Sequence, residues 1–368
     1  MSENTTIKVS DICALSVNRV IDSVSSILTS SIINNVPFRN LPAVMLWGMP
    51  GVGKSQAVRQ IAKRVEKETG KHANVVDVRL LLFNPIDLRG IPVADLSRSF
   101  AIWLKPKIFD MDESVNEVNI LFLDEITAAS PSVQSAAYQI TLDRVIGEHK
   151  LPENCFVICA GNRVTDKSVA YKMPKALANR LCHFEVQSDF QSWFDWATKN
   201  NLDLRITKFL SRRQDLLVSF DPSKDDVAFA TPRSWEMLSN ILKTCDCGDL
   251  ESLFPVVAGL VGSGIATEFV SWCKVNFKVP DINAIVKGRC YDKPQSTDVT
   301  YATVKLMLNH IKNHKDDSVG LNNCIEYSKT FSPDFTAMFI KELLLWNSNL
   351  KHNPLIYMWV AKHAKFFN

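Results

Sequence analysis

The chain has 368 residues, enough for one large domain or two ordinary ones, with 46% hydrophobic and 22% charged residues, the balance of a globular protein. Its 42 basic and 39 acidic residues leave a net charge of +3, which removes any whole-chain electrostatic argument for nucleic acid or an anionic membrane. The nine cysteines are odd in number and scattered: Cys245 and Cys247 stand too close for ordinary zinc spacing, and Cys155 and Cys159 fall in an apolar run as packed thiols, so a reducing compartment is expected.

In chain order, the polar start "MSENTTIKVS" has no charged and apolar signal pattern, so no secretory leader is expected. Residues 13–35 read as a helix, with Leu15, Val20, Ile21 and Val24 near helical spacing. "AVMLW" (Ala43–Trp47) is a continuous apolar run, which suits a strand buried on both faces of a parallel sheet. Runs of the same kind follow at Asn74–Phe83, Asn119–Asp124, Cys155–Asn162 and Cys182–Val186. Helical patterns separate most of them: Gln56–Lys67, with Gly70 as a stop, and a helix opening at Ser130-Pro131. This alternation over residues 41–187 predicts an α/β, doubly wound parallel sheet.

Beyond about residue 189 helical segments dominate: Asp226–Lys243, Leu250–Val275, Asp298–Lys315, Phe335–Trp346 and a C-terminal amphipathic "PLIYMWVAKHAKFF". The longest apolar stretch, Leu253–Ala266, is punctuated by glycine and proline and is shorter than the roughly 18 residues of a membrane span. No membrane association is expected, and a cytoplasmic location follows. The expected layout is an N-terminal tail and helix over 1–40, an α/β core over 41–188, and a helical lid with a C-terminal helical region over 189–368.

"GMPGVGKS" (Gly48, Met49, Pro50, Gly51, Val52, Gly53, Lys54, Ser55) has the spacing G-x-x-x-x-G-K-[ST] of a phosphate-cradling loop, and Gln56 continues into the helix. The glycines let backbone N–H groups close on a phosphate, and the helix aims its positive end at the same anion. Lys54 would reach the β- and γ-phosphates and Ser55 would hold Mg²⁺. The strand "NILFLD" ends in Asp124, a second Mg²⁺ residue, and Glu125, a carboxylate able to activate water. That acid pair points to water as the phosphoryl acceptor, hence to a hydrolase.

Asn162 emerges at the end of the strand "FVICAG", where it would orient the attacking water or merely form a turn. Arg180 closes a short helix before the last strand, where a guanidinium could neutralise charge on the transferred phosphoryl group of a neighbouring subunit. The alternative pairs it with Glu185 or Asp189. Arg233, in "ATPRSWEML", could reach the nucleotide from the lid or remain solvated. No Asn-Lys-x-Asp guanine signature is present, so ATP is favoured over GTP.

The five elements in this order resemble the AAA+ ATPases. The fit gives Walker A at Gly48–Ser55, Walker B at Asp124-Glu125, sensor 1 at Asn162, an arginine finger at Arg180 and sensor 2 at Arg233. "NPIDLRGIPVADLSRSFAIWLKP" (Asn84–Pro106), "DRVIGEHKLPENCFVICAGNR" and "MPKALANR" further resemble the MoxR-type branch, as an insert in the second helix, a hairpin before sensor 1 and the finger segment. The resemblance implies sheet order 5-1-4-3-2, a helical lid, Mg²⁺-dependent ATP hydrolysis, and a ring, expected to be of six subunits, with sites shared between neighbours. It also implies a protein substrate or a von Willebrand factor A-domain partner, and it leaves open whether Arg233 acts in cis or in trans.

The insert and hairpin are candidate partner contacts, through Phe100, Ile102, Trp103, His149 and Lys150; Trp103 suits a core equally well. His310 and His314 are four apart, a metal-holding spacing, but lack a carboxylate pattern, so no zinc is expected. The competing function is a nucleic-acid motor of the same fold, a helicase or restriction-type translocase, which the near-neutral charge does not favour.

Overall fold

The computed structural model describes residues 12–163, 171, 173, 175–244, 250–276, 280–290, 292–294 and 296–366. Cys245, Cys247 and residues 1–11 of the expected tail lie outside the described residues. The chain forms two compact units. The first runs to Trp196 and takes in Phe220–Asp225 and Thr231–Arg233, and the second comprises Ala197–Ser219, Asp226–Ala230 and the chain from Ser234 onward.

The first unit contains β1 (Ala14–Ser16), α1 (Val17–Ile33), β2 (Ala43–Trp47), α2 (Lys54–Thr69), β3 (His72–Arg79), α3 (Pro85–Arg89), β4 (Ile91–Ala94) and β5 (Ala101–Leu104). It continues with β6 (Glu117–Asp124), α4 (Pro131–Asp143), β7 (Val145–Ile146), β8 (His149–Lys150), β9 (Cys155–Gly161), α5 (Lys175–Ala178), β10 (Leu181–Gln187) and the start of α6 (Phe190–Lys199). Six strands form one parallel sheet in the order β1-β10-β2-β9-β6-β3. Counting only the five strands read from the apolar runs, this is the order 5-1-4-3-2.

The continuous apolar runs are explained by cover on both faces. Val44, Leu46, Ile120, Phe122 and Ile158 pack with Val20, Val24 and Leu28 of α1 and Val58, Ile61 and Val65 of α2. Met45, Leu121, Leu123, Val157 and Cys159 face the other way, onto Val133, Ala137 and Ile140 of α4. Each large aliphatic side chain so buried contributes about 1.5–3 kcal/mol. Helix α2 stops at Gly70, whose left-handed φ of 70° ends the helical hydrogen bonding.

The reading of residues 13–35 as helix needs one correction. Ala14–Ser16 form an edge strand along β10, and the helix starts at Val17. Ser16 ends the strand because its side chain accepts a hydrogen bond from Arg19 N–H and caps α1.

The insert folds as α3 followed by an antiparallel ribbon, β4 paired with β5 through Ile91↔Leu104 and Val93↔Ile102. A second ribbon pairs β7 with β8. The two ribbons touch: His149 Nε2 lies 2.8 Å from the Trp103 carbonyl oxygen. Trp103 is half-buried, whereas Phe100 and Ile102 are exposed at 74% and 47%, so the ribbon leaves apolar side chains unburied.

The second unit is helical: α7 (Leu204–Arg212), α8 (Pro232–Thr244) from Ser234 onward, α9 (Phe254–Val261), α10 (Ser263–Asn276), α11 (Ile282–Val286), α12 (Thr297–Asn313), α13 (Ser318–Ser328), α14 (Pro333–Trp346) and α15 (Pro354–Lys362). Phe209, Trp235 and Phe269 form one aromatic core, with ring centroids 5.3–6.0 Å apart. Met307, Ile325, Phe339 and Ile340 centre another.

Two expected helices are shorter than their apolar pattern. The helix expected from Asp226 begins at Pro232, since proline suits a first turn but not a helix interior. The helix expected over Leu250–Val275 is divided at Gly262, which has φ 88° and ψ 149°. No described helix is long and apolar enough to cross a membrane. The His310 and His314 rings stack on one another, 4.2 Å between centroids, and the described residues contain no His/Cys/Asp/Glu group suited to a metal ion.

Candidate active site

The C-terminal ends of β2, β6 and β9 bring the predicted residues to one place, as expected of a parallel sheet whose crevice lies beyond the strand ends. After β2 the chain turns through Gly51 and Gly53, with φ of 81° and 106°, conformations costly for any side chain. Gly53 is the N-cap of α2, so the first helical residue is Lys54. Lys54 is buried, and its ammonium donates to the Gly48 and Met49 carbonyls at 2.5 and 3.1 Å and to Asn162 Oδ1 at 2.9 Å. The loop after β2 and the residue after β9 therefore meet at the Lys54 ammonium.

Ser55 Oγ donates to Asp124 Oδ2 at 3.0 Å. A hydroxyl and a carboxylate converging at a helix start are hard oxygen donors, the set that fits Mg²⁺ with phosphate oxygens and water completing its shell. Glu125 follows in a left-handed conformation, φ 58°, uncommon for a side chain of its size. Its N–H donates to Asp124 Oδ1 at 2.9 Å, which holds the turn. Asp124 thus serves a hydroxyl with one oxygen and shapes the Glu125 turn with the other.

Asn162 is fixed by a residue the sequence did not single out. Thr127 Oγ1 donates to the Asn162 carbonyl and accepts from the Asn162 N–H, both at 3.1 Å. The Thr127 carbonyl in turn accepts from Tyr171 N–H at 2.7 Å and from Gln134 Nε2 at 3.2 Å. Gly161 permits this clasp, since a Cβ there would lie 2.7 Å from Thr127 Oγ1 and 2.9 Å from Met45 Cε. Nothing local marks Thr127; the clasp depends on the parallel pairing of β6 with β9.

Arg180 is exposed in the turn between α5 and β10. Its expected alternative partners are engaged elsewhere: Glu185 pairs with Arg163, and Asp189 accepts from the backbone and hydroxyl of Ser192 at 2.8 Å. Those Ser192 hydrogen bonds also lower the Asp189 pKa. Arg233 is exposed as the second residue of α8, and the preceding Thr231 lies against the loop, since a Cβ on Gly51 would come within 3.0 Å of it. Val17 at the start of α1 reaches the other flank, 3.5 Å from a Cβ placed on Gly53. No local sequence signal marks that contact, because β1 positions Val17.

Residues 43–183 match the family model described as ATPase family associated with various cellular activities (AAA). This segment is similar to AAA-family ATPase domains. The match runs from β2 into the first residues of β10 and so contains the loop, the acid pair, Asn162 and Arg180. No curated protein matches the chain.

Solved structures similar to it include a K64R mutant of RuvB from Thermotoga maritima (17% identity, 73% of this chain and 74% of that one, TM-score 0.36). PCH-2 of C. elegans is similar at 16% identity (70% and 68% of the two chains, TM-score 0.36). NtrX from Brucella abortus is similar at 12% identity (90% and 68%, TM-score 0.38).

Proposed function

We propose that the chain is a Mg²⁺-dependent ATPase that works as an oligomeric ring, six subunits being the expected number, and remodels or activates a protein partner in the manner of the MoxR-type branch. The observation that carries the reading is the convergence of Lys54, Asn162, Ser55 and Asp124 beside Glu125. That set combines a phosphate-binding cation, a metal-binding hydroxyl and carboxylate, and a second carboxylate free of the metal role.

Bound Mg²⁺ would supply charge neutralisation on the phosphates, held by Ser55 and Asp124. The N–H groups from Gly51 to Ser55 and the N-terminus of α2 cradle the phosphates. Lys54 draws charge from the β- and γ-oxygens. The Asn162 amide orients a water, and Glu125 accepts its proton as the water oxygen bonds to the γ-phosphorus and the bond to ADP breaks. Arg180 stabilises the charge on the transferred group in the adjoining subunit's site. Arg233 acts from the start of α8, and Thr231 against Gly51 supports action on the same chain's nucleotide.

A protein partner is supported by the apolar ribbon, where Ile91, Phe100, Ile102 and Leu104 are all exposed. A von Willebrand factor A-domain protein is the partner class we propose. Affinity capture on Glu125→Gln with ATP tests this: a protein retained with ATP and released with ADP supports it. ATPase stimulation by DNA or RNA that falls steeply with salt would favour a nucleic-acid motor instead.

A further inference from the structure

Trp47 ends β2 and immediately precedes Gly48. Its indole N–H donates to His183 Nδ1 at 2.9 Å, and the two ring planes lie within 22° of parallel with their centroids 6.0 Å apart. On its far side, His183 Nε2 lies 2.7 Å from the Ala178 carbonyl oxygen. An indole N–H only donates and a carbonyl only accepts, so both contacts require a neutral imidazole with its proton on Nε2. Ala178 is the last residue of α5, and Asn179 and Arg180 form the turn that follows.

The C-terminal end of β10, the strand that carries His183, touches the site twice more. The Val186 carbonyl oxygen would lie 2.6 Å from a Cβ on Gly48, so the loop's first residue rests on this strand. Glu185 pairs with Arg163, the residue after Asn162. Strand β10 is therefore clamped to the phosphate loop and to the sensor segment, while His183 reaches from it to the helix that ends before Arg180.

We propose that Trp47, His183 and the Ala178 carbonyl form a relay that positions Arg180, coupling each subunit's phosphate loop to the guanidinium it lends its neighbour. His183 is a positioning residue in this account, and the proposal rests on the reading of Arg180 as acting in trans. Filling space alone would be met by any flat ring at 183. A relay needs an acceptor facing Trp47 and a donor facing Ala178 on one side chain.

Mixed rings test this. Arg180→Ala subunits keep an intact phosphate loop but lend no guanidinium; Glu125→Gln subunits lend Arg180 but cannot hydrolyse. Each alone should be nearly inactive, and the mixture should recover activity. With a Glu125→Gln/His183→Phe donor, the recovered kcat should fall at least fivefold, while the donor binds a fluorescent ATP analogue with unchanged Kd.

A Glu125→Gln/His183→Gln donor should restore most of the recovery, because the amide oxygen can accept from Trp47 and the amide N–H can donate to Ala178. A Glu125→Gln/Trp47→Phe donor, which keeps a ring but loses the N–H, should fall as His183→Phe does and decides the matter should His183→Phe fail to fold. Full recovery with both the His183→Phe and Trp47→Phe donors would overturn the relay alone. Failure of the plain Glu125→Gln donor to complement would overturn the reading of Arg180 and the relay with it.

Discussion

Replacing Thr127 by valine keeps the side-chain shape and removes one hydroxyl. That hydroxyl makes two hydrogen bonds with the Asn162 backbone, each 3.1 Å, from a residue only 4% exposed. Each is worth about 1 kcal/mol net, and leaving the Asn162 N–H and carbonyl unserved raises the expected loss to about 2–4 kcal/mol in all. For a unit of this size each kcal/mol lowers Tm by about 2–4 °C, so thermal unfolding should shift down by about 4–16 °C.

The kinetic effect should be separate. Asn162 loses its fixed orientation, so kcat should drop about tenfold, equivalent to about 1.4 kcal/mol in the barrier, with KM for ATP within about twofold because the phosphate loop is untouched. Thr127→Ser keeps the hydroxyl at the cost of one methyl, about 0.8 kcal/mol, and should keep most of the rate. The assays are thermal unfolding and steady-state phosphate release on the three proteins. A valine variant with wild-type Tm and kcat, or a serine variant as impaired as valine, would refute the role of the clasp.

Other outcomes follow from the same geometry. Lys54→Ala should abolish binding of a fluorescent ATP analogue, since one ammonium joins the loop carbonyls and Asn162. Arg180→Ala should leave that binding intact and lower turnover at saturating protein by about 10²-fold or more, as loss of a charge-stabilising donor does. Burial pushes the Cys155 and Cys159 thiols up to about 12, so an alkylating reagent at pH 8 should label exposed Cys13 rapidly and these two only on unfolding, as peptide mapping would read. The hydrogen bond and charge of Glu117 raise the His72 pKa above its usual 6.5, so this pair's contribution is full below about pH 6.5 and is lost as pH rises through the folded-state value; NMR titration of His72 against Glu117→Gln should show a lower midpoint in the variant.

The parallel sheet was legible because its strands are buried on both faces: Val157, Ile158, Cys159 and Ala160 are each fully buried, and such a run has few other uses. The glycine loop and the acid pair were recognisable as candidates because the chemistry proposed for them requires neighbours in sequence. Strand β1 was not, since three residues paired along one edge carry too little pattern to separate from the helix that follows. The break at Gly262 was hidden because the flanking residues are apolar on both sides and only the backbone turn divides them. Thr127 and His183 were invisible for a different reason. Each acts across strands, Thr127 on a residue 35 positions away and His183 on one 136 positions away, at separations that only the sheet register defines.

The central claim is that Lys54, Asp124, Glu125 and Asn162 form a site where water cleaves ATP. Steady-state phosphate release with Mg²⁺ and ATP, measured on wild type and Glu125→Gln beside their affinities for a fluorescent ATP analogue, tests it most directly. The account predicts Mg²⁺-dependent turnover by wild type, unchanged binding by the variant, and a loss in kcat of about 10²- to 10⁴-fold, the range set by a missing general base. Turnover by Glu125→Gln equal to wild type, or no binding of the nucleotide by either protein, would contradict it.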